Sequence, residues 1–390
     1  MRMNAGQTFN FFPIPTDIHF GAGILKTLPT HVKALGTHKA FLVTDPGLKA
    51  AGILDRVVSL LKENAIEVEV CGRVKPDSSS SLVDSAAQEL RQSGAGVVIG
   101  IGGGSSLDTS KAVAAMATNP GSCTDYAGIN KVRNKPLPII AIPTTAGTGS
   151  EVTYWAIFTD EARNLKLAIG SYLIYPTIAL CDPELTLNLP PAVTASTGMD
   201  ALAHAVECCT NNACQPISRA LAIDAVKLIG LHLRSAVLNG SNIESRYGMM
   251  LASTMAGMAM NPTRLGLAHA LAMPLGSWDL HVPHGVVLAI LLPLTMEFNH
   301  LAEPDRFVEV AEALGQRVDG MSRLDGARRA VEAVRALARD VGIPSTMSSF
   351  GLQERHIGPV VEEAMKSGNI PVNPRKVTAA DLEQMLRMIL

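Results

Sequence analysis

At 390 residues the chain exceeds what one hydrophobic core usually organises, so two domains are expected. Hydrophobic residues make up 47% of it and the mean hydropathy is +0.22, which supplies ample core and excludes a disordered chain. A formal charge of −2 without any basic block removes the electrostatic basis for binding nucleic acid or an anionic membrane.

Met1–Gln7 has neither a continuous apolar stretch nor a small-residue cleavage site, so it does not read as a secretion signal. Ala40–Thr44 is a short β-rich run ending at Asp45-Pro46-Gly47, a buried strand meeting a turn. Helical spacing follows over Ile53–Asn64, alternation over Ile66–Val70, a second helix over Leu82–Gln92, and buried strands over Gly96–Ile101 and Pro138–Ile142. This alternation predicts an α/β domain with a mostly parallel, Rossmann-like sheet covered by helices on both faces.

After the strand that ends at Ile101 comes Gly102-Gly103-Gly104-Ser105, then Asp108 and Lys111. Glycines let backbone N–H groups approach an anion closely, and a helix starting at Ser105 would aim its positive end at a phosphate. The ordinary Gly-x-Gly-x-x-Gly fingerprint is not met, and a tight turn explains the glycines equally well. The next strand leads into Pro143-Thr144-Thr145-Ala146-Gly147-Thr148-Gly149-Ser150-Glu151, small hydroxyl residues suited to the ribose and pyrophosphate of a dinucleotide, or to a structural turn. Asp45, at the end of a strand, can accept hydrogen bonds from ribose hydroxyls and repel a 2′-phosphate, which favours NAD over NADP.

Beyond Asn188-Leu189-Pro190-Pro191 β-type runs almost vanish. Helical patterns cover 218–239, 245–260, 265–273, 286–298, 304–314 and 324–341. The expected organisation is therefore an α/β dinucleotide-binding domain over 1–186 and an all-helical metal-binding domain over 187–390. The longest apolar run, 286–294, is broken by Pro293 and too short to span a bilayer, so a cytoplasmic protein with no membrane partner is expected. Cysteines at 71, 123, 181, 208, 209 and 214 show neither a disulfide framework nor a Cys-x-x-Cys clip.

Asp200 and His204 stand four apart in a helix-favouring segment and share one face. His269 and His284 lie far along the chain among residues that read as buried. Taken singly, the Asp200–His204 pair fits a helix cap and a core histidine. Together the four offer one carboxylate and three imidazoles, a ligand set that leaves iron(II) or zinc with a net positive charge and therefore a Lewis acid.

Gly102–Ser105 with Asp108 and Lys111, the segment from Pro143 to Glu151, Gly198-Met199-Asp200-Ala201 with His204, Leu265-Gly266 with His269, and Pro283-His284-Gly285 occur in one order along the chain. The combination resembles the iron-containing (group III) alcohol dehydrogenases, and so do Phe20-Gly21, Asp182-Pro183-Glu184-Leu185 and Asn373-Pro374-Arg375. The resemblance implies Asp200, His204, His269 and His284 as metal ligands. It implies Asp45, Gly102, Gly103, Gly104, Ser105, Asp108, Thr144, Thr145, Thr148 and Ser150 as dinucleotide contacts, with Lys166 near the cofactor ribose. It also implies a dehydroquinate synthase-like fold, iron(II) as the metal with zinc or another divalent ion as the alternative, and a homodimer or higher homo-oligomer.

Three departures stand out. Met273 occupies the place of a further histidine often present four residues after the ligand matched by His269, so proton relay through that ring is not available; His281 is the candidate substitute. The interval from Gly276 to His284 is one residue longer than the family's common spacing. Arg264 precedes His269 by little more than a helical turn, where a guanidinium could hold a substrate carboxylate. The expected function is reversible hydride transfer between NAD and a small alcohol or hydroxy acid. A maleylacetate reductase-like or dehydroquinate synthase-like enzyme is the alternative.

Overall fold

The computed structural model describes residues 9–10, 14–276, 280 and 282–390. The chain forms two compact units: one holds 14–145 and 149–188, and the other is built on 189–390 and takes in Ala146–Thr148.

The first unit carries nine strands, β1 (Asp17–Phe20), β2 (Lys39–Val43), β3 (Glu67–Cys71), β4 (Val97–Gly102), β5 (Gly128–Ile129), β6 (Ile139–Pro143), β7 (Trp155–Asp160), β8 (Leu165–Gly170) and β9 (Ile178–Cys181). Its helices are α1 (Leu28–Ala34), α2 (Pro46–Ala50), α3 (Ile53–Glu63), α4 (Ser80–Ser93) and α5 (Gly104–Thr118). Six strands form a parallel sheet in the order β1-β9-β6-β4-β2-β3. Alternate residues of β2 and β4 feed two separate cores: Ala40, Leu42, Val97, Ile99 and Ile101 join Val32, Val57 and Leu61, while Phe41, Val43 and Val98 join Val83, Leu90 and Val113. Burial on both faces is why these strands are continuously apolar instead of alternating.

The strand order reverses at β2 and β4: the chain leaves β2 to place β3 on one side and returns to place β4 on the other. In open α/β sheets ligands bind beyond the carboxyl ends of the strands at such a point. Asp45, the glycines after Ile101, and Thr144-Thr145 stand at the carboxyl ends of β2, β4 and the neighbouring β6.

A second sheet, β5-β8-β7, has β7 and β8 antiparallel and β5 parallel to β8. The sequence reading did not anticipate it. β5 is two residues long, and β7 is buried only at every second position, so neither presents the uniform apolar run that marks the central strands.

The second unit consists of α6 (Pro191–Thr210), α7 (Pro216–Leu238), α8 (Ile243–Thr263), α9 (Leu267–Leu275), α10 (His284–Asn299), α11 (Pro304–Ala313), α12 (Arg323–Asp340), α13 (Glu354–Met365) and α14 (Ala379–Arg387). Among the described residues it has no strand. α6 is buried almost all round from Thr194 to Thr210, packed by α7, α8 and α10. Proline is tolerated at its first turn because the N–H it removes has no partner inside a helix. No described helix is long and apolar enough to cross a membrane.

Candidate metal centre

α6 sets the site. Asp200 lies nine residues inside it, so it caps nothing, and it is only 3% exposed. Its Oδ1 stands 3.5 Å from His204 Nε2, one turn on, and 3.8 Å from His269 Nε2 on α9. The His204 and His269 rings stack with centroids 4.6 Å apart, and His284 meets His269 edge-on at 5.7 Å. One ligand atom each from Asp200, His269 and His284 lies within 4.8 Å of the others, with His204 beside this group.

The donors fit a cation. Asp200 Oδ1 and His269 Nε2 are buried without a hydrogen-bond partner, an arrangement that is costly unless something positive sits between them. Metal–ligand bonds of about 2.1 Å place tetrahedral donors about 3.4 Å apart, close to the two separations around Asp200. Burial would raise the Asp200 pKa, but the three histidines outweigh it and hold the carboxyl at about 2. Burial would lower His269, yet Glu207 and Asp200 lift it to about 9. A field that retains a proton on His269 also attracts a metal ion. His204 is pushed down by burial, against the pull of Asp200.

Glycines permit the approaches. A Cβ at Gly285 would lie 2.1 Å from the Ser196 carbonyl oxygen, so only glycine lets the start of α10, and with it His284, reach α6. A Cβ at Gly147 would meet Thr197 at 2.8 Å; its absence brings the Gly147 carbonyl to 3.3 Å from His204 Nδ1. Gly147 and Thr148 thus belong with the helical unit, although their motif follows a strand of the α/β unit.

The structure also shows Glu207, which the sequence reading passed over. Its carboxylate accepts from Gly266 N at 2.9 Å and Ala268 N at 2.6 Å, and pairs with His269 Nδ1 at 2.5 Å. The signal was available: Asp200, His204, Glu207 and Asn211 recur at helical spacing as a polar stripe on an otherwise apolar helix.

Arg264 lies at the junction of two helices: α8 ends at Thr263, Arg264 takes φ 59° and ψ −167°, and α9 starts at Leu267. Its carbonyl accepts from Thr263 Oγ1 at 2.8 Å, and the exposed side chain turns its guanidinium against Gly368. His281 lies outside the described residues.

In the α/β unit, Gly102 takes φ 145°, and a Cβ there would come within 2.5 Å of Ser106 Oγ. No side chain caps α5, and Gly103, Gly104 and Ser105 are partly exposed, so the first N–H groups of α5 are open to an anion. Asp45 caps α2 through Gly47 N and Leu48 N and accepts from Ser106 Oγ at 3.3 Å, which places a carboxylate beside the glycine turn. Thr145 lies beside Gly103, its nearest atoms 3.5 Å from where a Cβ would stand, and Thr144 N donates to Gly102 O. This geometry fits a dinucleotide.

Asp108 and Ser150 make a different set of contacts. Asp108 accepts from Ser150 Oγ at 2.5 Å and Ile157 N at 3.1 Å and pairs with Lys111 at 2.9 Å. Lys111 is fully buried and also donates to Ser150 O, so this trio holds the loop after β6 in place. Lys166, partly buried, pairs with Asp77 at 2.6 Å.

The pattern of the iron-containing alcohol dehydrogenases matches residues 15–183, and that of the family's C-terminal region matches 194–390. An NAD-dependent methanol dehydrogenase of Bacillus methanolicus is 37% identical over 97% of this chain and 99% of its own length. A choline dehydrogenase of Bacillus subtilis is 39% identical over 96% and 94%. The crystal structure of a 1,3-propanediol oxidoreductase superposes with a TM-score of 0.95 at 37% identity, covering 98% of this chain and all of that one. The chain therefore belongs to the iron-containing alcohol dehydrogenase family, oxidoreductases acting on alcohols and aldehydes.

Proposed function

We propose that the protein is a metal-dependent, NAD-linked dehydrogenase of small primary alcohols, working reversibly. The observation that carries this reading is the pair of buried, unpartnered donors, Asp200 Oδ1 and His269 Nε2, facing one another beside His204 and His284. Asp200, His204, His269 and His284 would hold the ion, with iron(II) favoured by family. When bound, the ion supplies Lewis acidity that lowers the pKa of the alcohol hydroxyl, and the nicotinamide accepts the hydride.

The chain's own residues bind, orient and exclude. The uncapped start of α5 and Gly102–Gly104 would hold the pyrophosphate, with Thr144, Thr145 and Ser105 alongside and Asp45 facing the ribose. Burial of α6 around Asp200 keeps water from competing for the donors. Met273, one turn beyond His269 on α9, has a thioether that carries no proton, so the hydroxyl proton leaves by water. Methanol, choline and 1,3-propanediol, named for three relatives, share a primary hydroxyl on a small molecule, and that is the substrate class proposed.

The test is NADH formation with methanol, choline, 1,3-propanediol and a short ω-hydroxy acid, each with NAD or NADP. Turnover of at least one alcohol with NAD is expected. Failure of all four, each of which carries a primary hydroxyl, would contradict the substrate class.

A further inference from the structure

We propose that Glu207 is a positioning residue of the metal centre: its carboxylate fixes the tautomer and ring orientation of His269 and anchors the first turn of α9, so that ligand and helix move as one. Glu207 has this role only if the site holds a metal, as proposed above.

Glu207 is 6% exposed and sits three residues beyond His204 on α6. A buried carboxylate is unfavourable without compensating donors, and all its hydrogen bonds given above come from the start of α9. Oε1 takes Ala268 N, while Oε2 takes Gly266 N and His269 Nδ1. Accepting from His269 fixes Nδ1 as a donor and turns Nε2 toward Asp200, so that Nε2 is the atom left to bind an ion. Gly266 makes the approach feasible, since a Cβ there would lie 2.8 Å from Glu207 Oε1. His204 is oriented more weakly, by a neutral carbonyl at 3.3 Å. Of these two rings His269 is thus the one with a charged partner behind it, and the more basic donor toward a cation.

The experiment is titration of the chelator-stripped full-length protein with Co(II), followed by the visible absorption of the bound ion. Glu207→Gln should weaken Co(II) binding about 10- to 100-fold and shift the bands, because the oriented, polarised imidazole is lost. Glu207→Asp, which keeps the charge, should recover part of the affinity. In a His269→Ala background Glu207→Gln should cost nothing further, since Glu207 acts through that ring. Wild-type affinity in Glu207→Gln would overturn the inference, and so would a double variant whose loss is the product of the two single losses. Should Glu207→Gln not fold, Glu207→Asp alone and with His269→Ala supplies the same comparison. Wild-type protein that binds no Co(II), or binds it as well after Asp200→Ala, would overturn the metal reading itself.

Discussion

Asp45 shows how one side chain serves structure and selectivity together. Its carboxylate caps α2 and lies beside Ser106 at the glycine turn. Glycine is a tolerable N-cap, costing only a few tenths of a kcal/mol, so Asp45→Gly should leave the fold intact. Removing the negative charge should raise efficiency with NADP relative to NAD by about tenfold, roughly 1.4 kcal/mol, measured as the ratio of kcat/KM values. An unchanged ratio would mean that Asp45 does not face the ribose. The cysteines illustrate the opposite case. All six are buried, and burial pushes the thiols of Cys123, Cys208, Cys209 and Cys214 upward. Native protein at mildly alkaline pH should therefore resist a thiol reagent that labels all six in denaturant. Rapid labelling of the folded chain would contradict that burial.

Elements place the ligands. α10 can begin beside α6 only because Gly285 has no side chain. Gly285→Ala should destabilise the protein by about 1–3 kcal/mol through overpacking and weaken metal binding as His284 is displaced. Thermal unfolding with and without metal measures both; an unchanged melting temperature would show that the helices separate without cost. At the junction of α8 and α9, Arg264 occupies a backbone region that essentially only glycine favours. Arg264→Gly should therefore relieve about 1 kcal/mol or more of strain and raise the melting temperature. If its guanidinium also holds a substrate carboxylate, efficiency on an ω-hydroxy acid should fall while that on a simple alcohol stays. Equal losses on both would remove that role.

This junction marks where the sequence stops being legible. His269 could be picked out because an imidazole in Ala268-His269-Ala270-Leu271 has no packing rationale. The break before it shows as the gap between the 245–260 and 265–273 patterns, but its geometry could not be read, because it depends on a positive φ at an arginine and on carbonyls held by Asn211. Glu207 was missed for a related reason. Glutamate on a helix usually faces solvent, and the donors at the start of α9 that hold this one inward lie about 60 residues along the chain.

Across the whole molecule, the two units were legible to different degrees. Strands buried on both faces, such as β2 and β4, announce themselves as short unbroken β-rich runs, and the helical unit by its helical spacing. β5, β7 and β8 did not, being short or half-exposed. The Pro143–Glu151 motif reads as one loop in sequence, yet its residues have divided tasks: Ser150 binds Asp108 and Lys111, whereas Gly147 receives His204. No local pattern distinguishes them, because the division is made by packing partners far along the chain.

The central claim is that Asp200, His204, His269 and His284 hold one divalent ion on which alcohol oxidation depends. The most direct measurement is titration of metal-free protein with iron(II) while NADH formation from a primary alcohol is followed. Activity should be negligible at the start, rise linearly, and level off at one ion per chain, with Asp200→Ala staying flat throughout. Full turnover by the metal-free protein, indifferent to added iron, would contradict the account.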